Sequence, residues 1–147
     1  MDKRAGKRGS RGMNNMYGAR DTKKYYFTLP NQIFDLGLHP TAISIYSYLL
    51  RIEDRRTYQC ITSYSTISEK LGISTNTVSK YVAQLEEQGL IHTEHTEIIR
   101  RDGMKRNGCL RYHILPIRHA VELYHRRQMR QLELDAEEQR ILDKIKS

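Results

Sequence analysis

Tryptophan is absent from the 147 residues, and only two phenylalanines accompany ten tyrosines. A small, half-buried core in which Tyr takes the place of Phe follows from that bias. Cysteine is nearly absent too: Cys60 and Cys109 are the two present, and no Cys-x-x-Cys pair exists, which removes the usual thiolate spacing of a zinc site. His92 and His95 stand three apart in a stretch of strand character, so their side chains point to opposite faces, and with His113 they make no coherent ligand set. No metal is expected. There is no signal-like apolar run near the N-terminus, and no stretch approaches the ~20 apolar residues of a membrane span. A cytoplasmic chain with reduced thiols is therefore expected, although the two cysteines could face each other across a small sheet. The glycines form neither common nucleotide-binding loop, and no Ser-His-acid set can be placed in a pocket. Glu86-Glu87 and Glu137-Glu138 read as solvated helix faces. Neither an enzyme nor a cofactor is expected.

What the chain does have is positive charge. Lys and Arg number 25 against 17 Asp and Glu, a net charge of +8, which points to an anionic partner. Part of that charge lies in residues 1–22, where Lys3, Arg4, Lys7, Arg8, Arg11 and Arg20 alternate with glycines and no apolar period is found. This reads as a flexible basic arm able to contact a polyanion, or simply to solubilise the chain.

Lys24 to Leu29 reads as a short strand. Pro30 then opens a one-turn helix at its first position, anchored by Ile33, Phe34 and Leu36 and closed by Gly37. A longer helix is expected from Pro40 to Asp54, with Ile43, Tyr46, Leu49 and Leu50 on one face, extended by Ile45 and Ile52. Arg51, Arg55 and Arg56 suit the negative end of its dipole. Thr57 to Thr62 is a short extended run.

Ser63 to Leu90 organises the rest. Ser63 is placed to cap a helix that carries Ile67 and Leu71 on one face, and Gly72 suits its left-handed end. Ser74 caps a second helix, with Val78, Val82 and Leu85 forming the apolar stripe and Gly89 closing it. The opposite face carries Thr75, Asn76, Ser79, Lys80 and Ala83. These are short groups that donate to phosphates or base edges and let a backbone approach closely. On Ile67, Leu71, Gly72, Ile73, Ser74, Thr77, Val78, Leu85, Gly89, Leu90 and Ile91, the stretch resembles the helix-turn-helix of bacterial winged-helix proteins. It is most similar to modules of small regulators and of plasmid or mobile-element replication initiators. That resemblance implies a minimal strand at Thr57–Thr62 paired with a following hairpin, and a second helix that reads DNA.

The hairpin is expected from Leu90 to Ile99 and Cys109 to Leu115, with Asp102-Gly103 and Asn107-Gly108 as turn signals. Arg100, Arg101, Lys105 and Arg106 crowd its tip, as in a wing that grips backbone phosphates. Pro116 ends the strand. Ile117 to the C-terminus reads as one helix with no Gly or Pro. A rough apolar trace runs through Val121, Tyr124, Met129, Leu132, Ala136 and Ile145. It is longer than a small domain is wide, which favours pairing with a second copy over fraying near Gln131.

The expected fold is mainly α with a small β-hairpin: a winged helix-turn-helix over residues 23–116, preceded by the arm and followed by a dimerisation helix over 117–147. The expected function is binding of double-stranded DNA as a transcriptional regulator and homodimer, without membrane contact. Candidate DNA contacts are Ser63, Ser74, Thr75, Asn76, Thr77, Ser79, Lys80, Arg100, Arg101, Lys105 and Arg106. Two other roles fit the same pattern: a replication or partition factor of a mobile element, and a protein-interaction module that never touches DNA.

Overall fold

The computed structural model describes residues 25–96, 98–99, 105–106 and 108–147, with backbone alone for 98–99 and 105–106. The basic arm, Arg100 and Arg101 lie outside these residues, and the side chains of Lys105 and Arg106 lie outside them as well.

Helix α1, Pro40–Ile52, is the centre of the core. Ala42, Ile45, Tyr46 and Leu49 recur at helical spacing and are all buried, while Ile43 and Leu50 flank them half-buried. The helix stops at Ile52, two residues short of the expected Asp54, because Glu53 turns to extended backbone. At its other end His39 caps it, the Nδ1 accepting from the Thr41 amide at 3.1 Å. The same imidazole stacks on Tyr81, ring centroids 4.6 Å apart. Before α1 lies a 3-10 turn, Asn31–Asp35. Pro30 is its cap rather than its first residue. Ile33 and Leu36 enter the core, but Phe34 is 67% exposed and stays outside it.

The expected strand at Lys24–Leu29 does not form; residues 26–30 are irregular. Among the described residues no strand lies beside them, and a strand needs a ladder partner. Leu29 alone of this stretch packs on the core.

Strand β1, Gln59–Thr62, is short. Helices α2, Tyr64–Leu71, and α3, Thr75–Glu87, follow. Then come β2, Ile91–His95, and two short pieces further out, β3, Ile98–Ile99, and β4, Lys105–Arg106. Strand β5, Leu110–Ile114, returns. It sits between β1 and β2, antiparallel to both. Opposite β5, Cys60 pairs with Tyr112 and His92 with His113. Both cysteines are free, and they are not partners in the ladder: Cys60 is buried against Tyr112, while the Cys109 carbonyl accepts from Thr96. Among the described residues the first arm expected over Leu90–Ile99 is interrupted at Thr96, between β2 and β3, and the second is a strand over Leu110–Ile114 rather than Cys109–Leu115. Still, the outer pieces pair, Ile98 with Arg106 and Ile99 with Lys105.

Helix α4, Ile117–Lys146, is continuous and does not end near Gln131. Its first turns belong to the core. Ala120 is buried, and Ile117, Val121 and Tyr124 pack beside it. From His125 to Ser147 every residue is exposed. The expected apolar trace does not hold on this helix: Ala136 and Ile145 differ by ~900° of rotation, half a turn out of phase. Met129, Leu132 and Ala136 share one side. Leu134, Ile141, Leu142 and Ile145 share another, the side that also carries Leu123 and Arg127. The whole is a winged helix-turn-helix, mainly helical with a small antiparallel sheet and a long C-terminal helix.

Candidate nucleic-acid interface

Helix α3 is held by three local devices. At its start, the Ser74 Oγ accepts from the Thr77 amide at 3.2 Å and sits 2.8 Å from the Thr77 hydroxyl. In the turn before it, Gly72 takes φ +68, and the amides of Gly72 and Ile73 both donate to the Ser68 carbonyl. The Ser68 hydroxyl in turn donates to the Ile73 carbonyl, closing the turn from the other side. At the far end Gly89 takes φ +77. A Cβ there would stand 3.0 Å from His119 Cδ2 and 3.2 Å from Leu123 Cδ2, so this position needs glycine for both conformation and space.

Val78, Val82 and Leu85 bury the inner stripe of α3. Thr75, Asn76, Ser79, Lys80 and Ala83 are all exposed on the outer side. Three of the eleven candidate residues prove to have structural tasks. Ser63 caps α2, accepting from the Thr66 amide at 3.1 Å, and Ser74 and Thr77 are engaged with each other. Thr75, Asn76, Ser79 and Lys80 are brought together on one exposed surface. The Lys80 Nζ lies 5.3 Å from the Tyr81 ring centroid.

A groove of about 750 Å³ runs beside the start of α3, where Thr75 meets Tyr64, Ser65, His95 and Thr96. The sequence did not place Tyr64, Ser65 or His95 at this surface. Their signal is non-local, since the β2–β5 pairing carries residues 95 and 96 to the front of α2. His95 and His92 do diverge: His95 lines this groove, whereas His92 sits on the other side of β2. There the His92 Nδ1 is 3.5 Å from Glu86, and its ring is 5.8 Å from that of His113.

Glu86 is not merely solvated. It accepts from the Thr93 amide and hydroxyl, each at 3.1 Å, tying the end of α3 to β2. Nearby, Glu94 lies 3.2 Å from His113 Nε2 and 3.8 Å from Arg111. The His113 imidazole at that distance and the charges around it hold the Glu94 carboxyl below the usual range. A further brace comes from α4, where the Arg127 guanidinium donates to the Glu87 carbonyl at 3.1 Å. Among the described residues no cluster of His, Cys, Asp and Glu could hold a metal ion, and no helix is long and apolar enough to cross a membrane.

Two short helices around a capped turn, the second showing a polar face beside a hairpin, define a helix-turn-helix domain. Residues 36–91, from the end of the 3-10 turn to the first residue of β2, match the family model described as a helix-turn-helix domain. A solved structure described as a possible transcriptional regulator from Methanosarcina mazei Go1 is 18% identical, with 70% of this chain and 80% of that chain covered at a TM-score of 0.47. A mutant of ZitR from Lactococcus lactis is 15% identical over 97% of this chain and 85% of that chain, at a TM-score of 0.35. No curated protein matches the sequence.

Proposed function

We propose that the protein binds double-stranded DNA through the exposed side of α3 and acts as a transcriptional regulator. The observation that carries this reading is the face of α3 itself: within the matched helix-turn-helix, Thr75, Asn76, Ser79, Lys80 and Ala83 stand exposed together while the opposite stripe is buried. In the major groove, the Asn76 amide suits an adenine edge. Thr75, Ser79 and Lys80 suit phosphates. Arg100, Arg101, Lys105 and Arg106 add flanking backbone contact in this proposal, and the arm of residues 1–22 adds more.

A salt titration with random duplex DNA tests it. Binding that weakens steeply as salt rises is expected, with a slope reduced by about 0.9 for each phosphate-contacting Lys or Arg neutralised. Asn76→Ala and Lys80→Ala should weaken binding while leaving thermal stability within about 0.5 kcal/mol, as for exposed surface changes. Absence of binding even at low salt would sink the reading.

A homodimer through α4 belongs to the same proposal. Its support is the exposed stripe of Leu134, Ile141, Leu142 and Ile145, which continues the side of the helix that faces the domain at Leu123 and Arg127. Exposed apolar side chains on a projecting helix are stabilised by burial against a second copy at about 25 cal/mol per Å².

A further inference from the structure

A cleft of about 570 Å³, with no residue of α3 in its lining, opens between three segments: the irregular lead-in at 28–30, the end of α1, and the junction of β5 with α4. Its walls are apolar, formed by Leu29, Pro30, Leu50, Ile114 and Ile117, with the rings of Tyr46 and Tyr58 among them. One charged side chain lines it, Glu53. The Glu53 Oε2 is buried and has no hydrogen-bond partner among the described residues. An orphaned carboxylate oxygen is costly, because it has given up water without gaining a donor. Burial accordingly raises the Glu53 carboxyl above its ordinary value, against the opposing charge of Arg55. Glu53 also acts on its neighbours: after burial itself, it is the next cause that pushes up the Tyr46 hydroxyl and the Cys60 thiol.

The wall holds a second irregularity. Tyr58 takes φ +57, the one positive φ at a non-glycine position among the described residues. Its backbone is pinned on both sides, the amide donating to the Asp54 carbonyl at 2.7 Å and the carbonyl accepting from Ile114 at 2.9 Å. A β-carbon in that region costs roughly 1–2 kcal/mol and persists only where the surroundings impose it, commonly at ligand sites. Here the conformation sets the Tyr58 ring, which is 60% exposed, on the rim of the cleft.

We propose that this cleft binds a small organic cation, an ammonium or amidinium group carried on an apolar or aromatic body. The cation would supply the donor that Glu53 lacks. The exposed Tyr58 ring on the rim attracts the same charge, and the aliphatic walls take the body. Such a ligand would bridge the end of α1 to Pro116 and Ile117, where α4 begins.

The test uses the full chain without DNA, so its outcome is separate from that of the DNA proposal. Thermal unfolding is followed with phenethylamine, 2-phenylethanol and phenylacetate at equal millimolar concentrations. Phenethylamine is expected to raise the midpoint by a few degrees, and the neutral and anionic analogues are not, because only a ligand of the folded state shifts unfolding. Glu53→Gln should abolish the shift. Tyr58→Gly relieves the positive φ, so it should raise the unliganded midpoint, and by removing a ring from the rim it should reduce the phenethylamine shift. That second variant carries the test should Glu53→Gln not fold. An equal shift from all three compounds, no shift from phenethylamine, or full shifts retained in both variants overturns the proposal.

Discussion

Gly72 and Gly89 both hold left-handed backbone, at φ +68 and +77, but their surroundings differ. A Cβ at Gly72 meets nothing within 4 Å, whereas one at Gly89 runs into His119 at 3.0 Å. Gly72→Ala should therefore cost only the conformational penalty, about 1–2 kcal/mol. Gly89→Ala should cost more, since His119 and Leu123 must also give way. Urea unfolding of the two variants compares them directly, and equal losses would refute the crowding at Gly89. Ser74→Ala separates a cap from a contact: about 1 kcal/mol of stability should be lost with the cap. Burial also has a signature at high pH. It pushes the Cys60 thiol from 9.0 to about 12 and the Tyr46 hydroxyl from 10.0 to about 12. Both ionise at lower pH in the unfolded chain, so the unfolded state loses protons first as pH rises. Their contribution is whole below pH 9.0 and is lost on the way to about 12. Cys60→Ala should flatten that alkaline decline in a urea-midpoint series, whatever offset it adds at neutral pH.

Elements whose cause is local were readable in the sequence. Ser63, Gly72, Ser74 and Gly89 sit where capping chemistry requires them, and Val78, Val82 and Leu85 keep the 3.6-residue period, so α2, α3 and the turn between them follow from neighbours in the chain. Elements whose cause is distant were not. Lys24–Leu29 reads as a short strand, but among the described residues no strand lies beside it to complete a ladder. Phe34 has the composition of an anchor, yet the 3-10 turn aims Ile33 and Leu36 inward and leaves Phe34 outside. In the candidate interface, the exposed set of Thr75, Asn76, Ser79 and Lys80 followed from helical period alone. The structural tasks of Ser63 and Thr77 were local as well, while the groove with Tyr64, Ser65 and His95 depends on the pairing of β2 with β5. Glu86 illustrates the same limit, since its bond to Thr93 joins a helix end to a strand that only tertiary packing brings near.

At the scale of the molecule, the packing carries the folded unit past residue 116. Ala120 is buried, and Arg127 caps the Glu87 carbonyl, so the first three turns of α4 brace α3 from behind. A chain ending at Pro116 should then unfold, whereas one ending at residue 128 should keep its fold. On the dimer proposal, the shorter folded chain should sediment as a monomer and the full chain as twice that mass. A full-length monomer, or a dimer that survives the cut at 128, would refute α4 as the joint.

The uninterrupted α4 has a further mechanical meaning. From His125 onward its 22 helical residues reach ~33 Å with no hinge residue among them, so the segment behaves as a stiff spar. A spar transmits angle as well as distance. One residue inserted in its exposed half advances the tip by only ~1.5 Å but swings it by ~100°. Seven residues lengthen it by ~10 Å and return it to within ~20° of its starting phase. Whatever is fastened to the far end is thereby fixed in azimuth relative to the outer face of α3, and its orientation can be tuned in the chain almost independently of its reach.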